Sequence, residues 1–189
     1  MVNYGLKDRV AIITGANNPQ GIGAATAMAF AREGTKVVLV YKKEPRSFDP
    51  AKTDKNGTDR YFAANAGNAD QVEGKLREQG AEVLVLEKDI SNEEAVGEIY
   101  SAVLDRFGRV DVLVNNAGFG VFGEFDKTDL SREDEMINVN IKAVHFLTKL
   151  YLAEFKKRGG GKILNVASSA AFFPGPKFSS YYASKAYVY

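Results

Sequence analysis

Tyr181 and Lys185 stand four residues apart in SSYYASKAYV, a stretch whose composition suits a helix. On a helix that spacing puts a phenol and an ammonium on the same face. An isolated tyrosine ionises at about pH 10, and a neighbouring ammonium stabilises its phenolate, which brings proton transfer nearer to neutral pH. Tyr182 and Tyr187 share the predicted helix, but neither has a lysine at the following i+4 position, so both read as packing or interface residues. Just upstream, the start of NVASSAAFFPGPKFSS places two hydroxyls, Ser168 and Ser169, directly after the fifth apolar run, where they could touch a polar substrate atom. His145 is the sole histidine and reads as a packing or surface residue.

A different chemistry is suggested near the other end by TGANNPQGIG, Thr14 to Gly23. It follows the apolar run Val10-Ala11-Ile12-Ile13 and leads into the helix-forming AATAMAFARE. A turn of this kind presents the unpaired N–H groups and partial positive charge of a helix N-terminus to an anion such as a pyrophosphate. Gly15, Gly21 and Gly23, with Ile22 between the last two, would let the backbone come close. Their spacing is G-x5-G-x-G rather than G-x-G-x-x-G, so the loop by itself leaves both a dinucleotide site and a plain strand-to-helix turn open.

These stretches need a scaffold, and short β-branched runs alternate with helical patterns along the chain. The candidate strands are Val10 to Thr14, Val37 to Tyr41, Val83 to Leu86, Val110 to Val114 and Lys162 to Val166. Helices are expected over about 21 to 33, 68 to 79, 92 to 106 and 130 to 157. Ser91 with Glu94 reads as a capping box for the third of these and Ser131 with Asp134 as a weaker one for the fourth. Continuous apolar strands separated by helices predict a doubly wound α/β fold, a single layer of parallel strands with helices on both faces, in one Rossmann-like domain over residues 1 to 189. Residues 44 to 68 are long and polar and are expected to form an inserted surface loop after the second strand.

Composition narrows the function classes. Basic and acidic residues number 25 and 24, so nothing in the charge balance favours capture of nucleic acid or an anionic membrane. With no cysteine and one histidine, disulfides, thiolate catalysis and Cys- or His-rich metal sites are excluded. No apolar run approaches the length of a spanning helix and the first residues lack a signal-peptide pattern, so a cytoplasmic protein is expected.

Asn115-Asn116-Ala117-Gly118 ends the fourth strand, Ser168 follows the fifth, and Tyr181-x-x-x-Lys185 begins the helix after it. Together with Thr14, Gly15, Gly21 and Gly23, and with Asp89 after the third strand, this ordered set resembles the short-chain dehydrogenase/reductase family from about residue 8 onward. The resemblance implies hydride transfer between a nicotinamide cofactor and a carbonyl or secondary alcohol. It implies Tyr181 as acid/base, Lys185 as its support and a ligand of the nicotinamide ribose, Ser168 rather than Ser169 as the group polarising the substrate oxygen, and Asn140 as the residue that kinks the long helix and holds a relay water. It places Gly15, Gly21, Ile22, Gly23, Asn116, Ala117 and Gly118 on the dinucleotide and Asp89 at its adenine end. The glycine loop is longer than the family pattern, the added length falling within Asn17 to Gln20.

An acidic residue ending the second strand would accept bonds from a ribose 2'-OH, whereas cations favour a 2'-phosphate. This chain offers Tyr41, Lys42 and Lys43 there, with Arg46 close behind, so NADP(H) is expected over NAD(H). Phe119, Val121 and Phe122 on one loop and Phe172, Phe173 and Pro174 on another are expected to border an apolar substrate pocket. Family members carry further strands and a substrate-covering segment after the Tyr/Lys helix and pair through their long helices. The chain therefore resembles an N-terminal portion, with its fifth strand an open edge and a homodimer or homotetramer implied for a full-length protein. The alternatives are a non-catalytic NADP-binding sensor or scaffold, a dehydratase or epimerase on the same fold, and an inactive fragment. The stretched loop and insertion set the first half apart, while NNAGFGVFGEF through YYASKAYV resembles a bacterial reductase branch, so a chimeric origin is a further hypothesis.

Overall fold

The computed structural model describes residues 4–44, 47–54 and 57–189. Five strands, β1 (Val10–Thr14), β2 (Lys36–Tyr41), β3 (Val83–Glu87), β4 (Val112–Asn115) and β5 (Lys162–Asn165), form one sheet in the order β3-β2-β1-β4-β5. All neighbours are parallel, and Ile12 of β1 pairs with Val38 of β2 on one side and Leu113 of β4 on the other. The strand order reverses direction between β1 and β4. At such a point the connections leave the sheet on opposite faces and open a crevice at the carboxyl ends of the strands.

Seven α-helices connect and flank the strands among the described residues: α1 (Ile22–Arg32), α2 (Thr58–Ala66), α3 (Asp70–Glu78), α4 (Glu93–Phe107), α5 (Leu130–Ile137), α6 (Val144–Lys157) and α7 (Ser179–Val188). Alternate strand residues serve opposite faces, which is why the strands read as unbroken apolar runs. Ala11, Ile13, Val37 and Leu39 pack with Ala24 and Ala27 of α1 and Val72 and Leu76 of α3. Val10, Ile12, Val38 and Leu113 pack on the other face with Val96, Ile99 and Val103 of α4 and Leu147, Tyr151 and Phe155 of α6. β5 borders the sheet on one side, and its Leu164 is exposed. None of the described helices is long and apolar enough to cross a membrane.

Three local expectations are corrected. The segment 44–68 is not loop throughout: it carries a 3-10 turn at Pro50–Lys52 and the whole of α2. The helix expected over 130 to 157 is α5 and α6 joined by a π-helical segment, Asn138–Ala143, that contains Asn140. The caps also move by one or two residues. Asn92 rather than Ser91 caps α4, its Oδ1 accepting from Glu94 N at 2.8 Å, and Asp129 rather than Ser131 caps α5. Both displaced serines instead donate to a nearby aspartate, Ser91 to Asp89 and Ser131 to Asp129.

Candidate active site

A cleft of about 1000 Å³ opens over the carboxyl ends of β1, β2 and β4. Its floor is made where two loops meet. Gly15 has φ +68°, and a Cβ there would lie 2.8 Å from Ala117 Cα, so this crossing of the glycine loop and the Asn-Asn-Ala-Gly turn admits only glycine. Asn116 joins the two loops by donating from Nδ2 to Thr14 O at 2.8 Å and Gly15 O at 3.0 Å. Thr14 Oγ1 accepts from the backbone N–H groups of Asn116 and Ala117, both at 3.0 Å. Asn116 thus holds the loop in shape with its side chain and lines the cleft beside Ala117 and Gly118.

Behind the glycine loop α1 begins at Ile22 after the N-cap Gly21, with no side chain capping its first N–H groups and no acidic residue in its first turn. Those donors and the helix dipole leave an anion-binding position at the cleft floor. Within the lengthened loop Asn18 stabilises the turn, its Oδ1 accepting from Gln20 N at 3.0 Å. Buried Asn17 points sideways and donates from Nδ2 to Asn65 O and Gly67 O, each at 3.0 Å.

At one end of the cleft stand Tyr181 and Lys185 on α7. Lys185 is buried, donates to Val166 O at 3.2 Å and holds its Nζ 5.9 Å from the centroid of the Tyr181 ring. Burial pushes the Lys185 ammonium below the usual lysine range. Asn140 lies directly behind, 1% exposed, in the π segment. Its Oδ1 accepts from Phe119 N at 3.1 Å, and its Nδ2 donates to Phe119 O at 2.9 Å and to Ser184 Oγ at 3.0 Å. Gly118 makes this convergence possible, because a Cβ on it would meet Asn140 Oδ1 at 3.0 Å and Lys185 Nζ at 3.3 Å.

The opposite end lies over β2 and β3, where Tyr41, Lys42 and Asp89 line the cleft. Lys42 Nζ is gripped by Asp89 Oδ2 at 2.7 Å and Glu135 Oε1 at 3.2 Å. The bond to Asp89 holds its ammonium above the usual lysine range despite partial burial. Lys43 is turned away to Glu87 at 2.9 Å, the same carboxylate that accepts from Tyr41 OH at 3.2 Å, and does not line the cleft. Arg46 lies outside the described residues.

Of the other expected dinucleotide contacts, Gly15, Gly21, Ile22, Asn116, Ala117 and Gly118 line the cleft, and Gly23 is buried beneath it. Ser168 is not in the lining, which reaches only to Val166 and Ala167 on that loop. Its Oγ accepts from Ala170 N at 3.2 Å and caps the 3-10 turn Ser169–Ala171. The pocket expectation divides likewise. Phe119, Val121 and Phe122 line the cleft, whereas Phe172 packs on Tyr189 at 4.6 Å between ring centroids and Phe173 on Tyr182 at 6.0 Å. His145 is a surface residue bonded to Tyr187 OH at 2.5 Å.

Sequence reasoning missed two groups. Thr58, Tyr61, Phe62 and Asn65 of α2 line the cleft at i, i+3, i+4 and i+7, one face of a helix; that spacing was present in the segment read as loop. Arg132 of α5 also lines it, stacked 4.7 Å from the Phe119 ring centroid and paired with Glu135 and, at 3.6 Å, with Glu44. Its i,i+3 partner Glu135 is a common helix-surface pair, and the contacts that bring it to the cleft, Phe119 and Glu44, come from other parts of the chain.

The short chain dehydrogenase family profile matches residues 51–189. The chain belongs to the short-chain dehydrogenase family. Its members are oxidoreductases that bind NAD(P), and the uncapped α1 start, the glycine crossing and the nearby Tyr–Lys pair fit such a dinucleotide. A 3-oxoacyl-[acyl-carrier-protein] reductase of Synechocystis is 31% identical over 183 residues, which are 97% of this chain and 65% of that protein. A metagenomic short-chain oxidoreductase solved with NADP shares 31% identity at a TM-score of 0.76, with 97% of this chain and 72% of that one covered. An NAD+-bound xylitol dehydrogenase shares 26% identity at a TM-score of 0.75, covering 97% and 62%. The chain spans 61% and 65% of the lengths of two curated relatives it matches, and these matches run through both halves of the sequence.

Proposed function

We propose that this chain carries the cofactor site and proton-transfer groups of an NADP(H)-dependent reductase that acts on an apolar carbonyl compound, or oxidises the corresponding secondary alcohol. The observation that carries the reading is the joining, in one cleft, of an uncapped helix start over a glycine crossing with the Tyr181–Lys185 pair. The α1 N–H groups and Gly15, Gly21 and Ile22 hold the pyrophosphate, and Gly118 and Lys185 hold the nicotinamide ribose. A bound nicotinamide supplies or accepts the hydride.

Tyr181 gives its proton to the substrate oxygen in reduction and takes it back in oxidation. Lys185, whose charge is only partly offset by the Val166 carbonyl, stabilises the phenolate left on Tyr181. Asn140 fixes the backbone at Phe119 and presents its Oδ1 beside Lys185, where it supports the proton relay. Ser168 orients the substrate oxygen. Phe119, Val121 and Phe122 offer apolar surface, in keeping with a Synechocystis relative named as a 3-oxoacyl reductase.

Lys42 is the reason for choosing NADP(H): it stays protonated and faces the adenosine end. The full-length protein is a cytoplasmic homodimer or homotetramer in this reading. Titration with NADPH and NADH should show binding of both, tighter for NADPH. Tyr181→Phe should leave that binding within about twofold and reduce carbonyl turnover at least about 100-fold, the scale of a lost general acid. Turnover retained by the variant would remove Tyr181 from the reaction.

A further inference from the structure

Lys42 carries the choice of cofactor in the reading above, yet its ammonium is already matched by two carboxylates. It donates to Asp89 Oδ2 at 2.7 Å and to Glu135 Oε1 at 3.2 Å. The two acids are held differently. Asp89 belongs to the turn after β3, where its Oδ1 accepts from Ser91 N at 3.0 Å and from Ser91 Oγ at 2.7 Å. Glu135 comes from α5, 93 positions away from Lys42 in sequence. Its other oxygen, Oε2, accepts from Arg132 Nη1, one turn earlier on the same helix. Lys42 can therefore turn away from Glu135 without leaving that carboxylate unpaired.

Arg132 also pairs with Glu44 at 3.6 Å, so this chain of groups sets two cations against three carboxylates. A 2'-phosphate adds a charge of about −1.5 to −2. Bonded to Lys42 Nζ, it stands within about 4–6 Å of both carboxylates, the range over which like charges oppose each other. It gains the ammonium fully only as Lys42 gives up Glu135. The ribose 2'-OH of NAD(H) is neutral and meets no such opposition.

We infer that Glu135 is a specificity-determining residue of the cofactor site: it competes with the 2'-phosphate of NADP(H) for Lys42 and so narrows the preference for NADPH over NADH. This rests on the dinucleotide reading above and adds to it a residue of α5 that opposes Lys42. Arg132 is the partner that keeps Glu135 when Lys42 turns to the phosphate.

The experiment isolates the 2'-phosphate and the Lys42–Glu135 pair. Binding of NADPH, NADH, adenosine 2',5'-bisphosphate and 5'-AMP is measured by calorimetry for the wild type, Glu135→Gln, Lys42→Gln and the double variant. Glu135→Gln should tighten NADPH and the bisphosphate about 3- to 5-fold, the scale of one solvent-accessible ion pair, and leave NADH and 5'-AMP within about twofold. In the Lys42→Gln background the same change should alter the NADPH-to-NADH preference by less than about twofold, because the ammonium competed for is gone. Asp134→Asn removes the same charge one position along α5, from a carboxylate bonded to Asn138, and should bind all four ligands like the wild type. NADPH affinity unchanged or weakened in Glu135→Gln, or an equal gain in the Lys42→Gln background or in Asp134→Asn, would overturn the competition while leaving the cofactor reading intact. A folded wild type that binds neither NADPH nor NADH would overturn both.

Discussion

Gly15→Ala tests the crossing on which the cofactor reading depends. At φ +68° an alanine bears the cost of a left-handed backbone, about 1–2 kcal/mol. Its Cβ would also stand 2.8 Å from Ala117 Cα and 3.1 Å from Ala117 N, both backbone atoms that no rotamer can move. Overpacking of this kind costs about 1–3 kcal/mol, so the total is about 2–5 kcal/mol, a large part of a typical domain's stability. Gly80→Ala is the internal control: its φ is +80° with nothing within 4 Å of the added Cβ, so it reports the backbone cost alone. Urea denaturation followed by circular dichroism should show Gly15→Ala less stable than Gly80→Ala by at least about 1 kcal/mol. The loops must part to relieve the contact, stretching the Asn116 bonds to Thr14 and Gly15, so NADPH binding should fall in Gly15→Ala and not in Gly80→Ala. Equal destabilisation of the two variants, with NADPH bound normally by both, would refute the crossing as the shaping element.

Lys42→Gln should weaken NADPH about 5- to 10-fold and NADH hardly at all, a modest effect because Lys42 is 43% exposed and its charge is screened. Glutamine is preferred to aspartate here because Asp89 and Glu135 already flank the position, and a titration showing unchanged preference would remove Lys42 from the 2'-phosphate. Lys185→Met should abolish turnover yet hold or raise stability by about 1 kcal/mol at neutral pH, since it removes a buried ammonium bonded to one carbonyl. Burial lowers the folded pKa of Lys185 below its unfolded value near 10.5, so between the two the unfolded chain binds more protons and Lys185 makes stability rise with pH. That component of the rise should be missing from urea midpoints of Lys185→Met measured over the same window.

What the sequence disclosed follows from how local each signal is. β1, β2 and β4 were legible because their apolar runs serve both faces of the sheet, and most of the motif residues because they close a strand or open a helix. Nothing in Asn138-Val139-Asn140-Ile141 breaks a helix, so the π segment was not legible from local pattern, and only the family resemblance pointed to a kink at Asn140. It accompanies tertiary bonds from buried Asn140 to Phe119 and Ser184, residues 21 and 44 positions away. The helix in 44–68 was masked by polar composition, for its one organised face meets the cleft rather than a core. Capping failed more narrowly. Asn92 and Asp129 outcompete the neighbouring serines for the first-turn N–H groups, and both serines donate to aspartates that turn chemistry had already placed.

The placement of Ser168 shows that the cleft is assembled in two parts with different origins. Lys185 and Asn140 are buried and bonded to Val166, Phe119 and Ser184, so on the proposed reading the groups that support the Tyr181 phenol are in place without a substrate. Ser168 instead belongs to a loop whose Phe172 and Phe173 lie exposed against the outer residues of α7, and its hydroxyl is spent on a local turn. That bond is one neutral contact, worth about 1 kcal/mol, and a carbonyl oxygen arriving beside Tyr181 can replace it. On the proposed reading Lys185 and Asn140 are preorganised, while Ser168 would be recruited on substrate binding.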